Sequence, residues 1–361
     1  MKRALLLAVA ASAASLVVTA CQPAAPPPTK GKIYVSNVLN NLVSVIDPEK
    51  AAVIKKIPVG SLPHNFAFTP DYKYLVVTNS GSQNVSVIDT ETDTVVKESL
   101  TAPMPDVPAH RRPGVMGGFN SCLACHIDPR GAFPMGIATF PGTSDVVVTN
   151  FKGGDLVKMG GADWGIKQTI PLKYELQPSP VNLIFHPTKD EVYVLNRDLK
   201  KVPGHLTVMD RNFKPKRNMD VIRSPFGLTL STDGRELFIA SRITNKVEVW
   251  DTDSWKKLRT IISGDGPVGL YMANNGKLYT GNFYTNRPAY VSVIDANTGR
   301  TLKKIEGAAD ITRMTTDPAR RYLYVVNSGA NKVQVIDLAT DTLIREMPGG
   351  AFPVDIAFKP L

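Results

Sequence analysis

Apolar and polar positions change over in short steps along this chain. From about residue 31 onward, runs of roughly six residues rich in Val, Ile, Tyr and Thr are separated by turn residues, as in Tyr74-Leu75-Val76-Val77-Thr78-Asn79 and Val85-Ser86-Val87-Ile88-Asp89. No run carries a helical apolar period, so the body is predicted to be all strand. The runs recur as a unit: a proline-led apolar stretch, a polar turn, a stretch ending in Asn or Ser, a stretch ending in Asp, then a charged stretch. The Asn/Ser position appears at Asn37, Asn79, Asn150, Asn196, Ser241, Asn282 and Asn327, and the Asp position at Asp47, Asp89, Asp210, Asp251, Asp295 and Asp337, with the third copy lacking it.

Four strands in about 40–45 residues is the period of a propeller blade, which buries its two faces only by stacking on neighbours. Seven first strands start near Pro63, Pro134, Pro180, Pro225, Pro267, Ile311 and Pro353. The last has no second strand after it, whereas the body begins with a second-type strand at Ile33-Tyr34-Val35-Ser36-Asn37. The two ends complement each other. The expectation is an all-β, seven-bladed β-propeller of four-stranded blades, with the C-terminal strand closing the first blade.

In the second strands, Tyr34-Val35-Ser36-Asn37, Val76-Val77-Thr78-Asn79, Val147-Val148-Thr149-Asn150 and Tyr324-Val325-Val326-Asn327 follow a Tyr-Val-Thr-Asn pattern. On these residues the chain resembles the YVTN family of β-propellers over nearly all of residues 31–361, and more distantly the haem d1 domain of cytochrome cd1 nitrite reductases. The resemblance implies a fold and leaves the function open, because propellers host many unrelated activities.

The steps between successive Asn/Ser positions are 42, 71, 46, 45, 41 and 45 residues. One step is overlong by about 29, and the excess lies in residues 101–132. A long irregular connection in a compact fold is usually functional or disordered. This one contains Cys122-Leu123-Ala124-Cys125-His126. Two thiols at this spacing can add to the vinyl groups of a haem, and the adjacent histidine can ligate its iron, so the motif predicts one covalent haem c on Cys122, Cys125 and His126. A tetrahedral zinc site would need a fourth ligand and a second Cys or His pair. A redox dithiol would need the strand–helix setting of a thioredoxin-like unit.

The first thirty residues follow a different pattern. Lys2 and Arg3 precede an apolar run from Ala4 to Val18, too short to span a bilayer comfortably and flanked as a signal peptide is. The run ends Val18-Thr19-Ala20-Cys21, which resembles a lipoprotein cleavage site, with an ordinary signal peptide as the alternative. The reading is a signal over 1–20, a lipidated Cys21, a proline-rich tether over 21–31 and a propeller over 32–361. Proline removes donors and fixes φ, so the tether forms neither helix nor strand. By resemblance to lipoprotein sorting, Gln22 directs the protein to the outer membrane, as a periplasmic or cell-surface lipoprotein. The formal net charge is +10. Export makes nucleic acid an unsuitable partner, and the cations are scattered, so they read as a solvated surface or as steering toward an acidic redox partner.

The second axial ligand has several candidates. His110 and Met116 lie within the insertion. In the aligned first strands His64, Met135, Val181, Phe226, Val268, Thr312 and Val354 are equivalent and should ring one end of the channel, which brings His64 within reach of a haem folded over that mouth. The next equivalent set is Asn65, Gly136, Asn182, Gly227, Gly269, Arg313 and Asp355, of which Arg313 best matches a haem propionate. His186 reads as a turn residue on the opposite side, and His205 as part of a Gly-bearing surface loop. Three functions follow from this. The first is an electron carrier serving exported redox proteins. The second is a haem-dependent peroxidase or oxyanion reductase with an open iron position, and the third a binding scaffold with structural haem. No hydrolase triad, phosphate loop or carboxylate pair stands out, and the carrier is preferred.

Overall fold

The computed structural model describes residues 29–102, 131–173, 178–197, 203–283, 289–308 and 310–361. Twenty-eight strands, numbered in chain order, form seven four-stranded antiparallel sheets, and the described residues contain no helix. The sheets are the blades of a propeller. Their innermost strands begin at Pro63, Pro134, Pro180, Pro225, Pro267, Ile311 and Pro353, the seven positions expected from the repeat.

Ring closure is also as expected. The last strand, β28 (Pro353–Pro360), pairs with β1 (Gly31–Asn37), which continues into β2 (Leu42–Asp47) and β3 (Ala52–Pro58). Tyr34 lies opposite Ala357 and Val35 opposite Ile356. The second strands are buried almost throughout, as in Val146–Asn150, whereas the outer strands alternate toward water, as in Thr94–Leu100. Covered faces on both sides of a blade account for the continuous Val/Ile/Tyr runs. The core is accordingly divided into seven apolar clusters, such as the one that joins Tyr34, Val43 and Ile57 of the first blade to Leu75, Val77 and Ile88 of the second.

The two recurring polar positions have physical causes. In the six blades that carry it, the Asp at the end of the third strand folds back on the hairpin after it. Oδ1 of Asp89 accepts the N–H groups of Glu91 and Thr92 at 2.9 and 3.0 Å, and Asp251 and Asp295 bind the equivalent residues. These backbone donors hold the three carboxyls below their usual range. The Asn at the end of the second strand is buried and ties it to the third: Asn79 Nδ2 donates to Ser86 Oγ at 2.8 Å, and Asn37 Nδ2 to Ser44 Oγ at 2.9 Å. Towards the axis the strands crowd. A Cβ on Gly227 would meet the Val268 carbonyl at 2.6 Å, and one on Gly269 the Thr312 carbonyl at 2.9 Å, so these positions accept only glycine.

Candidate functional site

The starts of the innermost strands converge on one mouth of the central channel. All seven residues of the predicted first ring, His64, Met135, Val181, Phe226, Val268, Thr312 and Val354, line a cavity there of about 750 Å³, open solvent included. The overlong connection is rooted at the same mouth. On its near side Thr101 donates to Gln83 O at 3.1 Å and accepts from Asn150 Nδ2 at 3.0 Å. On its far side Ala132 donates to Gln83 Oε1 at 3.1 Å, and Phe133 accepts at 3.0 Å from Phe151, whose ring lines the mouth. Both ends of the 101–132 segment are thus stitched to the propeller. Cys122, Cys125, His126, His110 and Met116 lie outside the described residues, as does Cys21. Among the described residues, no three His, Cys, Asp or Glu side chains cluster as metal ligands.

His64 is half-buried, with its ring at the channel mouth, and its imidazole makes no hydrogen bond to any described residue; its backbone carbonyl takes the Ser36 hydroxyl at 2.7 Å. Burial in the channel wall, and then the charge of Arg313, pushes its pKa down to about 4. At neutral pH the ring is therefore uncharged and keeps a free lone pair.

Arg313 is held one position deeper. With the Asn65 amide turned to present its oxygen, Arg313 donates to it from Nη2 at 2.8 Å and from Nε at 3.2 Å, and Nε stands 4.0 Å from Asp355 Oδ1. Asp355 lies on the closing strand β28. Its Oδ2 accepts the Phe66 N–H at 2.8 Å and its Oδ1 the Ile356 N–H at 2.9 Å. Burial nevertheless prevails over Arg313 and these two donors, and raises the carboxyl to about 6. A neutral imidazole, a guanidinium and a reluctant carboxylate from three blades thus share one site.

Part of this mouth was not anticipated. Arg197, Arg242, Phe151, Phe283 and Phe352 also line it. Arg197 Nε donates to Ser224 Oγ at 3.0 Å, and the Arg242 guanidinium lies 4.5 Å from the centre of the Phe283 ring. The signal was present in the repeat. Phe151, Arg197, Arg242 and Phe283 each follow the recurring Asn/Ser in four consecutive blades, a position whose neighbours are evident only when the ring is closed. His186 is a buried turn residue, as expected, with Nδ1 accepting the Lys189 N–H at 2.8 Å and Nε2 3.0 Å from Gly234 O. His205 departs from expectation: it sits in the strand Pro203–Met209, with Nδ1 2.9 Å from Asp220 Oδ1 across the sheet. A Pro-Gly pair ahead of it suggests a loop, but the ladder to the neighbouring strands overrides that local preference.

Fold and site together define a seven-bladed β-propeller with a cationic, aromatic-lined channel mouth. A family model described as YNCE-like beta-propeller matches residues 2–103. Antigen Lp49 of Leptospira interrogans is 29% identical over 208 residues, 49% of this chain and 42% of that protein. The seven-bladed beta-propeller protein Rv1057 of Mycobacterium tuberculosis is 30% identical over 122 residues, 33% of this chain and 31% of that protein. The chain thus matches less than half the length of either. Among solved structures, the dihydro-heme d1 dehydrogenase NirN in complex with DHE superposes with a TM-score of 0.61 at 18% identity, over 94% of this chain and 68% of that one. The periplasmic gluconolactonase PpgL of Pseudomonas aeruginosa gives 0.67 at 13% identity, over 92% and 99%. At these identities the likeness is one of fold.

Proposed function

We propose that this protein is an exported, membrane-anchored c-type cytochrome, in which a propeller carries one covalent haem on Cys122, Cys125 and His126 and passes single electrons between exported redox proteins. The observation that carries this reading is the rooting of the CxxCH-bearing segment at the channel mouth, beside a histidine that is neutral and not hydrogen-bonded. The described residues fit such a group. His64 offers a lone pair at neutral pH, and Arg313 offers positive charge for a propionate. Phe226 and Phe283 offer apolar surface to a flat ring. The haem itself supplies one-electron chemistry, tuned by its axial ligand and by the polarity around it. The chain's own contribution is to fix the ligand, exclude water on the channel side and neutralise carboxylates. The anchor on Cys21 and the proline-rich tether, which joins the fold at Gly31 opposite Pro360 and so at the end of the channel away from that mouth, would keep the body at a membrane surface with the mouth open to acidic partners of a basic protein.

Visible spectra of the purified protein, oxidised and reduced, together with haem staining on a denaturing gel, test the proposal. Wild type should stain and show a reduced haem spectrum, Cys122→Ala and Cys125→Ala should lose covalent haem, and His64→Ala should change the spin state or the band positions. Undiminished staining of the Cys122→Ala/Cys125→Ala double variant would sink the haem assignment. A spectrally silent His64→Ala would move the haem away from this histidine.

A further inference from the structure

The rim of the channel mouth carries more positive charge than one haem ligand requires. Four consecutive blades present Phe151, Arg197, Arg242 and Phe283 at the position after the recurring Asn/Ser, and Arg313 stands behind them in the wall. Eight of the fourteen lining residues are apolar, three of them valines in the first ring. A pocket with an apolar wall and a few fixed polar groups at one side suits an organic ligand better than a bare inorganic ion. A guanidinium fork also matches the two oxygens of a carboxylate. Arg242 is held against the Phe283 ring at 4.5 Å, and Arg197 against Ser224 at 3.0 Å, so neither head group has to be ordered from water when a ligand arrives. Two acids near this mouth are buried: Asp310, near Arg242, and Asp355, near Arg313, are 6% and 8% exposed. A third, Asp265 ahead of Pro267, is half-buried and accepts from Asn245 Nδ2 at 3.1 Å. The described residues that line the mouth include no acid, so that lining is cationic and aromatic.

We infer that this mouth is a carboxylate-binding site, built for an acid group carried on a flat apolar body. Such a group has two sources: a free aromatic acid, or the propionates of the haem proposed above. Only the second rests on the haem reading.

The experiment uses the full-length protein. Calorimetric titration with benzoate, and with benzamide as its uncharged counterpart, is compared for wild type, Arg197→Gln, Arg242→Gln and the control Arg235→Gln, whose side chain is 80% exposed in a turn at the other end of the blade. If the ligand is a free acid, benzoate binds once per chain and benzamide does not. Arg197→Gln and Arg242→Gln then each weaken binding about tenfold, and the control leaves it unchanged. If benzoate gives no heat, the reduction potential of the bound haem is measured in the same variants. A shift in Arg197→Gln and Arg242→Gln but not in Arg235→Gln assigns the site to propionates. Thermal melts near the parent's establish that the variants fold, and Arg242→Lys, which retains the charge, should lie between wild type and Arg242→Gln. No benzoate binding, with potentials unshifted or with no haem in the protein, overturns the inference. Benzoate binding by a protein that carries no haem would leave the site standing and remove the cytochrome reading alone.

Discussion

Four tyrosines stand three residues before the recurring Asn; Tyr193 donates to Glu191 of its own blade at 2.9 Å, and the other three make the packing between blades testable in both directions. Tyr34 and Tyr279 project from second strands toward the outer hairpin of the following blade. Tyr34 Oη donates to Asp93 Oδ1 at 2.5 Å, while Lys32 Nζ holds Asp93 Oδ2 at 2.7 Å. Tyr279 donates to Asp341, which Lys277 binds at 2.5 Å. Tyr324 is the third member, yet its buried hydroxyl has no partner. The reason lies in the facing turn. Asp93 and Asp341 stand four residues after the recurring Asp at φ of 52° and 54°, and the corresponding residue of the first blade is Ala51 at φ 52°. Ala51 packs against the cluster that contains Tyr324 but offers no acceptor. Losing a buried hydrogen bond to a charged group costs about 1.5–3 kcal/mol, while deleting an unsatisfied polar atom is neutral or favourable. Tyr34→Phe and Tyr279→Phe should therefore each destabilise by about 2 kcal/mol, and Tyr324→Phe should not destabilise at all. Ala51→Asp should stabilise by about 1 kcal/mol, since aspartate tolerates this backbone region better than alanine and can receive the hydroxyl. Arg345, which donates to the Pro48 carbonyl at 3.0 Å, lies near enough to offset part of the new charge. Urea unfolding and thermal melts of the four variants, with the Ala51→Asp/Tyr324→Phe double variant, form the assay. The gain from Ala51→Asp should vanish once Tyr324 is phenylalanine. A loss on Tyr324→Phe as large as on Tyr34→Phe, or a gain that survives in the double variant, would refute the reasoning.

Three other tests concern the ring and its mouth. Asp355 titrates near pH 6 when folded, above its unfolded value, so its contribution is most favourable at low pH and is lost as pH rises toward 6; Asp355→Asn should cost less stability, relative to wild type, at pH 8 than at pH 4.5, and a pH-independent difference in melting temperature would contradict this. His64 runs the other way, its folded value near 4 making stability fall as pH drops from 6.5, so the test is cleanest in a His64→Gln background. Truncation before Gly349 removes β28 with its buried Ile356 and Phe358, unpairs β1 and uncovers Ile33, Val35 and Tyr324, which pack in the same cluster; the body should unfold or aggregate, and a truncated chain melting like wild type would refute closure as a stability requirement. Replacing residues 103–130 with a short Gly/Ser linker should remove haem and retain the far-ultraviolet signature of a folded β-protein, because Thr101 and Ala132 keep their bonds to Gln83; an insoluble product would make the segment part of the core.

Much of the architecture was legible in one dimension. A blade is a local unit, so strand order, the proline-led starts, the hairpin aspartates and the need for β28 to complete the first blade all follow from spacing along the chain. The first ring of channel residues was legible for the same reason, since equivalent positions in a repeat meet at equivalent places around an axis. Contacts between blades were not. That Tyr34 finds an acid and Tyr324 finds Ala51 depends on which turn of the next blade faces each tyrosine. Likewise, Arg197 and Arg242 became site residues only when seven strand ends were brought to one mouth, and the ionisation of His64 and Asp355 departs from the ordinary only inside the channel wall. Periodicity along a chain specifies which residues are equivalent. Solvation, charge pairing and the identity of a cross-blade neighbour are properties of the closed ring, because they depend on what has been excluded from water on every side.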